Sequence, residues 1–162
     1  MQAAVSGQRP ETAVCELQPL VNYIAAMSEA NQTPTTGQCL CGQVSFLVDG
    51  DRENILHCHC VNCRRLTGNF IAASRVKTSD VVFASDTTLR WYELGYAKYG
   101  FCSGCGSTLF FVPEDDPEQT SITAGTFDDV SDLELGGVWF TADAQAHNTP
   151  LPSGVPHFEG NG

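Results

Sequence analysis

From Gly37 onward, apolar positions come in short runs that alternate with polar ones or are broken by turn residues, the signature of strands and not of long helices. Gln43 to Val48 alternates before a turn at Asp49-Gly50, and Val81 to Phe83, Leu89 to Glu93 and Tyr96 to Cys102 are short runs rich in β-branched and aromatic residues. Further strands are expected at Thr108 to Val112, Thr120 to Ala124 and Val138 to Thr141. Asp86, Gly95, Pro113 to Pro117 and Gly136-Gly137 punctuate the chain too closely for long helices. The pattern therefore predicts an all-β, mainly antiparallel domain, with a short helical turn after Cys60. It extends over 36–147. Residues 1–35 read as an N-terminal extension whose Gly, Pro and polar runs favour partial disorder, with one short helical stretch at Leu20 to Ala30. Residues 148–162, with Pro150, Pro152 and Pro156, read as a C-terminal loop or tail.

Composition narrows the class. The 162 residues suit one domain with a buried core, and the formal charge is −11. After Lys98 there are ten acids and no lysine or arginine. Such a surface repels a phosphate backbone, so nucleic acid is not an expected partner. No segment reaches the roughly 18 apolar residues needed to span a bilayer, and no basic leader precedes an apolar core. A cytoplasmic protein without a membrane partner is the expectation; the pattern leaves the oligomeric state open.

In a reducing compartment, eight cysteines point to metal before disulfides. Seven fall into three clusters: Cys39-Leu40-Cys41, Cys58-His59-Cys60-Val61-Asn62-Cys63, and Cys102-Ser103-Gly104-Cys105. Zinc prefers four tetrahedral ligands, and the first and third clusters each supply a close pair. Cys39, Cys41, Cys102 and Cys105 then form a closed structural zinc site, with Gly104 and Gly106 suited to a tight knuckle around the metal. Cys58, Cys60 and Cys63 offer three ligands, which leaves a fourth position for water or substrate, as in catalytic zinc. Two zinc ions per chain follow. A rubredoxin-like iron or an iron–sulfur cluster could use the same sulfurs, and His57 or His59 could close the second site, leaving a non-catalytic, zinc-stabilised binding module. His59 stands between two ligands and is a candidate for acid–base work or for an outer role. Cys15 stands alone as a free thiol.

Three segments in order resemble the glutathione-dependent formaldehyde-activating enzymes: Gly37-Gln38-Cys39-Leu40-Cys41-Gly42-Gln43-Val44, Cys58-His59-Cys60-Val61-Asn62-Cys63-Arg64-Arg65-Leu66-Thr67-Gly68, and Phe101-Cys102-Ser103-Gly104-Cys105-Gly106-Ser107-Thr108-Leu109. The resemblance covers roughly 36–145. It implies a β-tent, several curled sheets around a structural zinc, and a carbon–sulfur lyase that joins formaldehyde to glutathione to give S-hydroxymethylglutathione. On that reading a glutathione-like thiol and a small aldehyde are the partners. Zinc at Cys58, Cys60 and Cys63 would lower the pKa of the substrate thiol. Arg64 and Arg65 could hold a substrate carboxylate through paired hydrogen bonds, and Thr67 and Gly68 could belong to a loop facing the ligand.

Overall fold

The structure, a computed structural model, describes residues 34–160. Cys15 and the helical stretch expected at 20–30 lie outside the described residues. Ten strands and one helix make up the regular structure: β1 Thr35–Gln38, β2 Val44–Val48, β3 Ile55–Cys58, α1 Val61–Thr67, β4 Ile71–Lys77, β5 Val81–Asp86, β6 Leu89–Glu93, β7 Ala97–Cys102, β8 Thr108–Pro113, β9 Gln119–Thr123 and β10 Leu135–Trp139. They form a three-stranded sheet in the order β1-β2-β5 and a seven-stranded sheet in the order β10-β3-β4-β9-β8-β7-β6. Every pairing is antiparallel except that of β10 with β3. Register shifts at Ser45/Phe46, Gly100/Phe101 and Leu135/Gly137 bend the strands, as β-bulges do, and give the open, curled all-β architecture that the sequence leads one to expect.

The main core lies between the two sheets. Val44, Phe46 and Val48 from β2 meet Val76, Leu109, Phe110 and Ile122 from the larger sheet. Phe46 packs edge-on against Phe110 at 5.2 Å and Phe127 at 5.8 Å, geometries that suit aromatic quadrupoles. Gly37 permits this close fit: a Cβ there would stand 2.5 Å from the Phe46 ring and 2.6 Å from the Thr126 carbonyl oxygen.

The larger sheet has a second face. Ile71, Ala73 and Arg75 on β4 alternate with Ser74 and Val76, and Gln119, Ser121 and Thr123 on β9 alternate with Thr120 and Ile122. The first member of each set lines a concave surface, the second points to the core. The segment after β10 returns along that strand: Val138 N–H donates to Pro156, and Phe158 N–H donates to Val138.

Candidate metal centres

Two hairpin tips bring the four-cysteine group together. Cys39 and Cys41 sit in the β1–β2 turn and Cys102 and Cys105 in the β7–β8 turn, so the group joins the smaller sheet to the larger. In the first tip, Gly42 N–H donates to Cys39 O at 3.0 Å; in the second, Gly106 N–H donates to Cys102 O at 2.8 Å. Gly42 has φ +77° and Gly106 φ +80°, the left-handed region where a side chain is strained. Gly104 serves differently, since a Cβ there would lie 2.6 Å from Gln43 Oε1 and 3.7 Å from Cys41 Sγ. Cys39 and Cys102 are buried within the main core. Cys41 Sγ stands 3.5 Å from Cys39 Sγ and 3.7 Å from Cys102 Sγ, and all four sulfurs lie within 4.8 Å of one another. Four thiolates at 2.3 Å around one tetrahedral zinc would be about 3.8 Å apart, so the set fits that ion. Val44 N–H donates to Cys39 Sγ, and the Thr88 hydroxyl lies 3.1 Å from Cys102 Sγ. Such hydrogen bonds offset thiolate charge and orient the ligands.

The second group forms where β3 runs into α1. Cys58 ends the strand, Cys60 caps the helix and accepts from Cys63 N–H at 3.4 Å, and Cys63 faces inward from the first turn. The three sulfurs lie within 4.8 Å of one another; among the described residues no histidine, carboxylate or further cysteine joins them. The set supplies three soft ligands on one side of a metal and fits an ion with an open position. Hydrogen bonds from Cys58 and Cys63 hold the Cys60 thiol far below its ordinary value. The same contact with Cys60 pushes Cys58 up to about 11, against a hydrogen bond with Cys63 that lowers it.

These cysteines open onto a cavity of about 940 Å3, within the range of small-molecule sites. Its wall is the concave sheet face with α1 laid across one end. Register sets the wall in rows: Trp139, Cys58 and Ile71 in one, Leu56, Ala73 and Thr123 in the next, and Tyr99, Phe111, Ser121 and Arg75 in another. A hydrogen bond between Asn62 of α1 and the Tyr96 hydroxyl ties the helix to the β6–β7 turn. Tyr99 is 3% exposed; burial, and then the charge of Cys63, raise its pKa, so its hydroxyl keeps its proton.

Of the expected substrate contacts, none lines this cavity. Thr67 and Gly68 end α1: the Thr67 hydroxyl donates to Cys63 O at 2.9 Å, and Gly68, at φ +77°, donates its N–H to Arg64 O. Arg65 is exposed. Arg64 and His59 border a separate small recess with Asn69, Phe70, Asp143, Gln145 and Asn148. His59 Nε2 and Arg64 Nε, and His57 Nδ1 nearby on β3, are buried without a hydrogen-bond partner among the described residues. His57 stacks on Phe70 at 4.2 Å, and His59 packs against the same ring at 5.1 Å. The sequence reading passed over Asn62, Arg75, Tyr96 and Tyr99. Arg75 shares one strand face with Ile71 and Ala73, a placement that follows from β4, whose sequence shows no alternation of polar and apolar positions.

Fold and cysteines together define an all-β protein with two thiol-rich candidate metal centres, one locking two sheets together and one facing a cavity. Residues 34–142 match the family described as glutathione-dependent formaldehyde-activating enzyme, and the chain belongs to that family. It is similar to an uncharacterized lyase of Schizosaccharomyces pombe, 23% identical over 97 residues that cover 60% of this chain and 71% of the relative. A Rhodobacter sphaeroides protein of known crystal structure shares the fold, with a TM-score of 0.51 and 23% identity over 75% of this chain and 98% of that one. Membership supports a lyase-type enzyme.

Proposed function

We propose that the chain is a zinc-dependent carbon–sulfur lyase that interconverts a glutathione-like thiol and a small aldehyde, such as formaldehyde, with the S-hydroxymethyl adduct. The observation that carries this reading is the convergence of Cys58, Cys60 and Cys63 on the cavity with no fourth protein ligand among the described residues. Zinc held there would lower the pKa of a substrate thiol and keep its sulfur at the cavity wall. A second zinc, at Cys39, Cys41, Cys102 and Cys105, would serve the fold alone.

The reaction needs little more than position and proton control. The S–H bond breaks, an S–C bond forms at the carbonyl carbon, and a proton ends on the former carbonyl oxygen. The Tyr99 hydroxyl, neutral and hydrogen-bonded with Tyr96, lies in the wall, and this hydroxyl pair would face an oxygen on which negative charge grows. Ile71, Phe111 and Trp139 give part of the wall apolar neighbours, where such a hydrogen bond is stronger than in water. The Asn62–Tyr96 link holds α1, and with it Cys60 and Cys63, against the opposite wall.

The test combines metal content with thiol response. The chain is expected to hold about two metals, and a cobalt-substituted sample should change its visible spectrum when glutathione is added. Adduct formation from glutathione and formaldehyde, followed by NMR, should outrun the buffer reaction and fall to it in Cys60→Ser. Metals indifferent to millimolar glutathione, together with no acceleration, would leave a zinc-stabilised binding module in place of an enzyme.

A further inference from the structure

Among the described residues that line the cavity, Arg75 is the one cation. Its guanidinium lies 4.8 Å from the centre of the Trp139 ring, within cation–π range. Its ionic partner among the described residues, Glu53, is 3.8 Å from Nε; that carboxylate is 60% exposed, so the pair contributes little. No side-chain hydrogen bond of Arg75 occurs among the described residues, which leaves a planar fork of donors free at the cavity wall.

The register measures how far this fork stands from the cysteines. Along β4, Arg75 is four residues beyond Ile71, the partner of Cys58, which is about 13 Å of strand. Across the sheet, Arg75, Ser121, Phe111 and Tyr99 occupy one row over three strand spacings, about 14 Å, and Tyr99 is close enough to Cys63 and Cys60 to feel their charge. The two paths, to Ile71 beside Cys58 and to Tyr99, give spans of similar length along the sheet. The arginine arm covers part of that length, and an extended chain advances about 3.5 Å per residue, so a ligand touching both ends needs roughly the length of a tripeptide.

We propose that Arg75, over the Trp139 ring, anchors a carboxylate at the end of the substrate remote from its sulfur, and so selects an extended, peptide-like thiol. Glu114, Asp115, Asp116 and Asp143 also line the cavity and disfavour a second anionic group on the ligand. The assignment rests on the thiol-lyase reading only for which end of the ligand meets the cysteines. Arg75 acts in binding and is a positioning residue, not a participant in bond formation.

A thiol-free ligand separates the two readings. S-methylglutathione keeps both carboxylates and cannot lose a thiol proton, so calorimetric titration of the metal-loaded chain reads the anchor alone. The parent chain should bind it and should lose about 10- to 100-fold in affinity when one particular carboxylate is amidated, while amidation of the other leaves binding equal or tighter. Arg75→Met should weaken S-methylglutathione by the same factor and erase the difference between the two monoamides; Arg75→Lys should recover part of it. An unchanged melting temperature for both variants establishes that they are folded. The anchor is overturned if the parent chain does not bind S-methylglutathione, or if Arg75→Met preserves its preference between the monoamides. If the Arg75 pattern appears while no thiol perturbs either metal, the anchor stands and the lyase reading fails.

Discussion

Replacing Cys102 with serine removes one of four sulfurs from the group that joins the two sheets, at a position with no solvent exposure. A structural zinc of this kind contributes about 10–16 kcal/mol to folding, against a total stability of about 5–15 kcal/mol for a typical domain. Even if serine and the three remaining thiols keep half of that, the loss is about 5 kcal/mol, or roughly 10–20 °C in melting temperature for a chain of this size. Cys60→Ser is the contrasting change. Serine is a favoured helix N-cap and can still accept from the Cys63 N–H, so α1 keeps its start. Metal at that site also closes less chain: Cys60 and Cys63 are 3 residues apart, Cys41 and Cys102 are 61, and the difference in closure entropy is about 3 kcal/mol. Thermal unfolding by circular dichroism, with metal content measured on the same samples, is expected to show a collapse for Cys102→Ser and a shift of only a few degrees for Cys60→Ser. If Cys102→Ser melts within a few degrees of the parent, the four-sulfur group does not hold the sheets. If Cys60→Ser falls as far, the division of labour between the centres is wrong.

Gly37→Ala would force a methyl to 2.5 Å from the fully buried Phe46 ring and 2.6 Å from backbone at Thr126, so a loss of about 1–3 kcal/mol or more is expected in denaturant unfolding; less than 0.5 kcal/mol would refute the packing described. Burial lowers the pKa of His57 and His59 below 6.5. The unfolded chain therefore binds protons that the folded one does not, and their contribution is fully present above pH 6.5 and declines as pH falls below it. The double variant His57→Gln, His59→Gln should flatten the pH dependence of stability below about pH 6.5. In the metal-free chain, the Gln43 backbone N–H pulls Cys41 down while desolvation and the thiols of Cys39, Cys105 and Cys102 push it up, to about 12, and Cys58 stands at about 11. Both thiols must give up a proton to bind metal, so zinc affinity should rise with pH, and calorimetry in buffers of different ionisation enthalpy should register protons released; a pH-independent affinity would refute this.

The two cysteine groups were legible because ligand chemistry writes itself as spacing: C-x-C, C-x-C-x-x-C and C-x-x-C survive without any knowledge of the fold. Strands β2 and β5 to β10 were legible from alternation or from β-branched and aromatic runs, with ends displaced by up to three residues, as at the end of β5 and the start of β10. β1, β3 and β4 were not. Ile71-Ala72-Ala73-Ser74-Arg75-Val76-Lys77 carries alanines and a serine of low β-propensity, and it is covered on both faces, by core and by cavity, so no polar face marks the period. The rows across the cavity wall depend on register between strands up to about 80 residues apart, which no local pattern encodes. Arg64 and Arg65 adjoin a ligand in sequence, but a helix turns neighbours to different faces: Val61, Asn62 and Cys63 of α1 reach the cavity, and most other side chains that share it with Cys58 come from distant strands and loops.

The hairpin tips that share the four sulfurs also set an order of events during synthesis. Cys41 leaves the ribosome 61 residues ahead of Cys102, an interval of about 3–12 s at ordinary elongation rates. Over that interval Cys39 and Cys41 are an isolated thiol pair, and Cys58, Cys60 and Cys63 emerge next, still without β10 beside β3. Three local ligands can capture an ion before four dispersed ones, so the nascent chain is expected to load its cavity centre first and to hold that metal while the sheets are still separate.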